Sequence, residues 1–238
     1  MSLEGESLDA ILTSPPYANR TDYTDVEAIL EGERITNAAF RDCLDKPAIG
    51  RSVERLLKLR GQVSASKQNE IQRSLARSMA KIGSLNEALE EATLAVETAK
   101  SLDSLRATGN SHLALGEVLR YRGDLPAAVG EYQIAASIAR AIGNRDSHIW
   151  CLLGEGAADI QSGEMKAAEM ACNEVEVFLR EPGYIHPLEQ AHLGLLRLLI
   201  GRASETDVLA QYAKLGIQWP QQFLLSRVAG GVMEPIPL

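Results

Sequence analysis

Three glycines stand at intervals of forty residues in this chain: Gly83, Gly123 and Gly163. An alanine follows each glycine by five residues, and a very small residue precedes each by seven; these are Ala88, Ala128 and Ala168, and Ala76, Gly116 and Gly156. A repeat of this length is typical of one supersecondary unit stacked on copies of itself. Small residues at matched positions let two helices approach closely, and glycine favours the end of a helix. The spacing therefore predicts an all-α helical solenoid.

Each unit is predicted to contain two helices. The clear units pair 67–82 with 85–101, 105–122 with 125–142, and 145–162 with 165–180. A weaker fourth unit pairs 186–201 with 204–214, where Ala203 and Val208 replace the glycine and the alanine. End units are expected to diverge, because one side of them faces solvent.

The remainder of the chain divides around this repeat. We predict an irregular N-terminal segment, a helical N-terminal cap, the repeat domain and a C-terminal tail that is either loose or packed as a strap; these cover 1–23, 24–66, 67–222 and 223–238. The sequence thus predicts three to four repeats with helical caps.

Composition narrows the classes of function. The net charge of −8 argues against a general nucleic-acid binder, so DNA is not an expected partner. No apolar run approaches the roughly 18 residues of a membrane span, so no membrane partner is expected. The three cysteines, Cys43, Cys151 and Cys172, are too few and too irregular for a disulfide framework. A reducing, cytoplasmic location is therefore expected.

The repeat frame resembles that of the tetratricopeptide repeat family. That family carries a small residue early in its first helix, a glycine at the turn and alanines in its second helix. The matching sets here are Ala76-Gly83-Ala88-Ala95, Gly116-Gly123-Ala128-Ala135 and Gly156-Gly163-Ala168, within about 67–214. The period is 40 rather than the usual 34, and the family's closing proline is absent. The resemblance implies a right-handed solenoid of helical hairpins. It also implies a non-catalytic scaffold or regulatory adaptor that binds a protein or peptide in a concave groove.

In this family the first helix of each unit lines the groove. The residues that this resemblance places there are Arg73, Arg77, Lys81, Asn110, Glu117, Arg120, Tyr121 and Trp150, together with Leu153 and Gln161. Three of them, Arg73, Arg77 and Lys81, follow one another at four-residue spacing and form a basic stripe on one helix face. Two interpretations stay open, an exposed binding surface for an acidic segment or a solvated helix face.

A second motif lies near the N-terminus. The tetrapeptide Ser14-Pro15-Pro16-Tyr17 follows the apolar run Ala10-Ile11-Leu12 and resembles the catalytic motif of DNA amino-methyltransferases. In that family the first residue and a proline carbonyl bind the target amino group, and the aromatic ring stacks on a flipped base. The resemblance would give these roles to Ser14, Pro15 and Tyr17.

The rest of a methyltransferase is missing from the sequence. No glycine-rich turn after a strand offers a site for the methyl donor, so we expect no cofactor, and no catalytic or metal-binding residues are assigned. The segment could be a structural remnant, a chance match or one piece of a split enzyme. The alternative function is therefore an accessory, truncated or divergent component of a DNA-modification system.

Overall fold

The structure is a computed structural model and describes residues 46–181, 186–228 and 235–238. The predicted segment 1–23, with Ser14, Pro15, Pro16 and Tyr17, lies outside the described residues. So does the first part of the predicted N-terminal cap.

The described residues form ten α-helices and no strand, which confirms the all-α prediction. In chain order they are α1 Lys46–Leu59, α2 Ala65–Ile82, α3 Leu85–Ser101, α4 Leu105–Arg122, α5 Leu125–Ala141, α6 Arg145–Ser162, α7 Met165–Leu179, α8 Pro187–Leu199, α9 Glu205–Lys214 and α10 Trp219–Val228. Three helices, α3, α4 and α6, have the predicted bounds. The tail boundary drawn after residue 222 falls inside α10.

The three spaced glycines end the first helices of their units. Gly83, Gly123 and Gly163 have φ values of 94°, 86° and 85°, which is the left-handed region that glycine adopts without steric cost. The N–H of each following residue bonds back to a carbonyl five residues earlier, as from Asp124 to Leu119 at 2.9 Å. This pattern satisfies carbonyls that would otherwise lack a partner at a helix end.

In the predicted fourth unit a glycine follows the first helix, whereas Ala203 was expected in that position. Gly201, with φ of 75°, follows α8, and the N–H of Arg202 bonds back to the carbonyl of Arg197 at 2.7 Å. The prediction that Ala203 stands in the glycine position was wrong by two residues. The helix ends earlier because Gly201 can adopt the left-handed conformation more readily than alanine can.

The helices form two layers. Each helix packs on the next along the chain, and the first helices α2, α4, α6 and α8 also contact one another in sequence. Among the described residues, the second helices α3, α5 and α7 make no comparable contacts with each other. Neighbouring units are therefore closer on the side of the first helices, which makes that side concave. The arrangement is consistent with a solenoid of helical hairpins.

The small residues of the repeat lie where helices approach most closely. Ala88, Ala128 and Ala168 are fully buried. Tyr132 of α5 is also fully buried, and its ring passes between two glycines. A Cβ atom on Gly116 of α4 would lie 3.0 Å from that ring, and one on Gly154 of α6 would lie 2.5 Å from it. The absence of these two side chains makes room for the tyrosine.

Every helix among the described residues is too short or too polar to span a lipid bilayer.

We predict that Gly154→Ala destabilises the fold by roughly 1–3 kcal/mol, because the added methyl group overlaps the Tyr132 ring. The matched control is Gly130→Ala in α5, where a Cβ atom meets nothing within 4 Å. That change should be neutral or stabilise by roughly 0.5–1 kcal/mol, since alanine favours the helix. Urea unfolding of both variants measures the difference, and equal stabilities would contradict the close approach of α5 and α6.

Candidate functional site

A cavity of about 490 Å³ lies on the concave layer. Its walls come from the four first helices and from the C-terminal part of the chain. The lining residues are Arg73, Ser74, Arg77, Ser78 and Lys81 of α2; Asn110, Leu113, Glu117 and Arg120 of α4; Tyr132 of α5; Asp146, Ser147, Trp150 and Gly154 of α6; Leu188 and His192 of α8; and Ile217, Trp219 and Leu238.

Seven of the ten residues predicted for the groove line this cavity, and the exceptions are Tyr121, Leu153 and Gln161. Tyr121 packs instead against the N-terminal core, which includes Leu56 and Val118. It follows Arg120 in the helix, and a step of one residue turns a side chain by about 100° away from its neighbour's face. Leu153 is likewise in the core rather than on the groove surface, whereas Gln161 reaches the groove through a bond from Arg120. The binding role of these residues stays a prediction.

The basic stripe is half-buried rather than exposed, contrary to the expectation from sequence. Arg77 forms an ion pair with Glu117 of the next first helix. Arg73 Nε donates to Asn69 Oδ1 at 3.2 Å, and Asn69 in turn donates to Ser111 Oγ at 2.9 Å. The stripe is therefore part of the polar contacts that join α2 to α4, and it is not a solvated helix face.

Arg120 is the most buried charged side chain of the cavity, with no exposed surface. Its Nε donates to the Tyr132 hydroxyl at 3.3 Å, and its Nη1 donates to Gln161 Oε1 at 2.9 Å and to the Ile236 carbonyl oxygen at 2.7 Å. Its Nη2 is buried and has no hydrogen-bond partner among the described residues. Burial raises the pKa of Tyr132 to about 12, against the effect of Arg120, so all three acceptors are neutral at pH 7.

The C-terminal segment, residues 235–238, packs against the concave layer. Ile236 is fully buried and Leu238 nearly so, in the same core as Trp219 and Phe223. Each such side chain contributes roughly 1.5–3 kcal/mol when fully buried. The sequence left open whether the tail is loose or packed, and the structure shows these four residues packed.

The cavity is electrostatically positive within an acidic protein. Four cationic side chains line it, those of Arg73, Arg77, Lys81 and Arg120, against the carboxylates of Glu117 and Asp146. Burial lowers the pKa of Lys81, as do Arg77 and Arg120, while Glu117 raises it. Burial is the largest of these effects, so the lowered pKa of Lys81 reflects mainly the desolvation of its amine.

The His192 imidazole shows the same field. Burial lowers its pKa to about 3, with contributions from Lys81 and Arg120. Its Nδ1 lies 2.7 Å from the Tyr212 hydroxyl, and its ring stands between Trp150 and Trp219 in a group of aromatic contacts. His192 is therefore a neutral packing and hydrogen-bonding group in the folded protein at pH 7.

Of the residues that hold Arg120 in place, the sequence predicted Gln161 for the groove but neither Tyr132 nor Ile236. For Tyr132, only the glycines at 116 and 154 indicate in the sequence that a large ring passes there. Cys151 and Cys172 are buried free thiols, and burial raises the pKa of Cys151 to about 12. No cluster of His, Cys, Asp or Glu among the described residues could hold a metal ion.

A scan against protein-family models and a search of curated proteins found no match to this chain.

We predict a pH-dependent stability that originates at His192. Its ordinary pKa is 6.5, so the unfolded chain takes up a proton below that pH while the folded protein does not. The contribution to stability is complete above pH 6.5 and decreases as the pH falls toward 3. When the pH is lowered from 7.5 to 5.5, the free energy of unfolding of the parent, measured with urea, should fall by roughly 1–1.5 kcal/mol more than that of His192→Gln. A constant difference between the two proteins would show that folding does not shift the pKa of His192.

Proposed function

We propose that this protein is a non-catalytic scaffold or regulatory adaptor that binds a segment of another protein in its concave groove. The observation that carries the proposal is the positive cavity on the inner layer of a helical solenoid. A cytoplasmic location is part of the proposal, since the buried thiols Cys151 and Cys172 are unpaired.

The chemistry of the groove supports an acidic partner segment. Three of the four cations of the cavity belong to α2, and the fourth is Arg120 at the end of α4. Trp150, Trp219 and Leu113 supply apolar surface beside them. Aromatic side chains and arginine are the residue types that contribute most to binding energy in protein interfaces. An acidic peptide with apolar side chains complements this surface in charge and in polarity.

The proposal also accounts for the frame of small residues. Solenoids present extended concave surfaces, and these serve mainly to bind other chains. The resemblance to tetratricopeptide repeats points the same way, because that family binds peptides on the layer of its first helices.

The experiment is selection of a random peptide library, displayed on phage, on the purified protein. We predict enrichment of sequences that combine acidic and apolar residues. A synthetic peptide of the enriched sequence should lose roughly tenfold or more in affinity for the triple variant Arg73→Gln, Arg77→Gln, Lys81→Gln. Each lost charge contact is worth up to about 1 kcal/mol, and 1.4 kcal/mol is a factor of ten.

The matched control removes three cations from the second helices, with the variant Lys100→Gln, Lys166→Gln, Lys214→Gln. These side chains are exposed on α3, α7 and α9, and the change in net charge is the same. Isothermal titration with the control should give the affinity of the parent. Equal losses of affinity in both triple variants would show that the effect comes from net charge and would exclude the groove as the binding site. A library without any enriched sequence would contradict the proposal as a whole.

The second candidate function is an accessory, truncated or divergent component of a DNA-modification system, and it depends on the tetrapeptide at 14–17. We predict no binding of S-adenosylmethionine, because the sequence offers no glycine-rich donor site. Isothermal titration with S-adenosylmethionine is the measurement. Stoichiometric binding in the micromolar range would favour the DNA-modification function over the scaffold.

A further inference from the structure

The C-terminal segment, residues 235–238, already occupies part of the concave groove. Ile236 has no exposed surface and Leu238 retains 8% of its own. Leu238 also lines the cavity beside the residues of the basic stripe. The backbone carbonyl of Ile236 accepts a hydrogen bond from Arg120 Nη1 at 2.7 Å, across 116 residues of sequence. The chain thus places a short segment of its own where a partner segment is proposed to bind.

This peptide is a poor electrostatic match for Arg120. A guanidinium presents its N–H groups as a planar fork, which suits the two oxygens of a carboxylate. Here Nη1 meets neutral oxygen atoms, while Nη2 is buried without a partner among the described residues. The one nearby carboxylate of α4, that of Glu117, is paired with Arg77. Burial disfavours the charge on Arg120, and although Tyr132, Tyr121 and Glu117 together raise its pKa, none of the atoms that accept its hydrogen bonds is charged. A buried donor left without a partner is costly.

A carboxylate in the place of the Ile236 carbonyl would remove this cost. It could accept from Nη1 and from Nη2, and it would place a negative charge in direct contact with a guanidinium whose present acceptors are all neutral. The neighbouring sites of the Ile236 and Leu238 side chains are apolar and belong to the core that contains Trp219 and Phe223. The best occupant therefore combines an acidic group with two apolar side chains.

We propose that residues 235–238 are an intramolecular occupant of the groove, and that a partner displaces them with a segment presenting a carboxylate to Arg120 between two apolar side chains. This inference rests on the proposed peptide-binding function and names the chemistry of the peptide. A tethered segment acts at an effective concentration in the millimolar range. Neutral peptides therefore compete poorly with it, and the acidic group makes the exchange favourable. The C-terminal segment raises selectivity by excluding ligands that cannot use Arg120.

The test uses two blocked synthetic peptides of residues 232–238, one carrying Pro237→Asp and the other Pro237→Asn. The nitrogen of Pro237 is bonded to the carbonyl carbon that Arg120 contacts, so a short side chain at this position begins beside the guanidinium. Asp and Asn have the same shape and differ in charge. Isothermal titration with the full chain should show the Asp peptide binding about tenfold or more tightly than the Asn peptide. Equal affinities, or binding of neither peptide, would overturn the carboxylate site.

A second comparison tests displacement. The full-chain variant Ile236→Ala, Leu238→Ala weakens the intramolecular contact, so both peptides should bind it at least tenfold more tightly than they bind the parent. The control variant Met170→Ala, Val177→Ala truncates two apolar side chains that are 69% and 65% exposed on α7, and it should bind as the parent does. Unchanged affinity in the first variant would show that the segment is not a competitor.

The third comparison locates the preference at Arg120. In Arg120→Gln the Asp and Asn peptides should bind alike, and in Arg120→Lys the preference should shrink because a single ammonium replaces the fork. A preference that survives in Arg120→Gln would assign the site to another cation. If either variant fails to fold, the Asp and Asn peptides are compared on the parent at 50 and 500 mM salt. A preference lost at high salt would indicate an exposed charge and would contradict a buried site.

The outcomes separate this inference from the proposed function. Peptides selected from the library that bind the parent and the Ile236→Ala, Leu238→Ala variant equally well would overturn displacement and leave peptide binding in the groove intact. Absence of any selected peptide would instead contradict the proposed function.

Discussion

The ring of Tyr132 between Gly116 and Gly154 is the contact on which the rest of the groove depends. It requires two neighbouring first helices to lack side chains at facing positions, because even one methyl group would come within 2.5–3.0 Å of the ring. In return, a large and fully buried side chain joins α4, α5 and α6. A contact of this kind fixes the spacing of adjacent units, since neither a larger nor a smaller separation would leave the ring in van der Waals contact on both sides.

The same ring also helps to position the charged group of Arg120. Its hydroxyl accepts a hydrogen bond from Arg120 Nε, which orients the guanidinium along the inner layer. Gln161 of the next unit holds a second nitrogen. A cation that is desolvated in this way creates a field felt across the groove, and the lowered pKa values of Lys81 and His192 both include contributions from it. A protein of net charge −8 thereby places four cationic side chains together on its inner layer.

The C-terminal segment completes the groove by burying apolar side chains, yet it offers Arg120 only a neutral carbonyl. At this place the apolar side chains of the segment are well buried, whereas the charge of Arg120 faces only neutral acceptors. The segment is bound by the general and non-directional part of the interaction. The directional part is incomplete, because Nη2 of Arg120 has no partner among the described residues, and the proposed exchange of occupants depends on this difference.

The sequence by itself determined the local structure of this protein. The glycines at 83, 123 and 163 predicted helix ends to within a residue or two, because a left-handed residue at a helix end is a local requirement. The spacing of small residues also predicted which helix faces pack, and seven of the ten predicted groove residues line one cavity. The prediction for Tyr121 was wrong because adjacent positions of a helix point to different surfaces. Only the tertiary structure decided that the basic stripe is half-buried, that Tyr132 holds Arg120, and that Ile236, 116 residues away, lies against it. These contacts join segments that are far apart in the sequence. Their relative positions depend on the combined geometry of six intervening helices, which no local pattern of residue types determines.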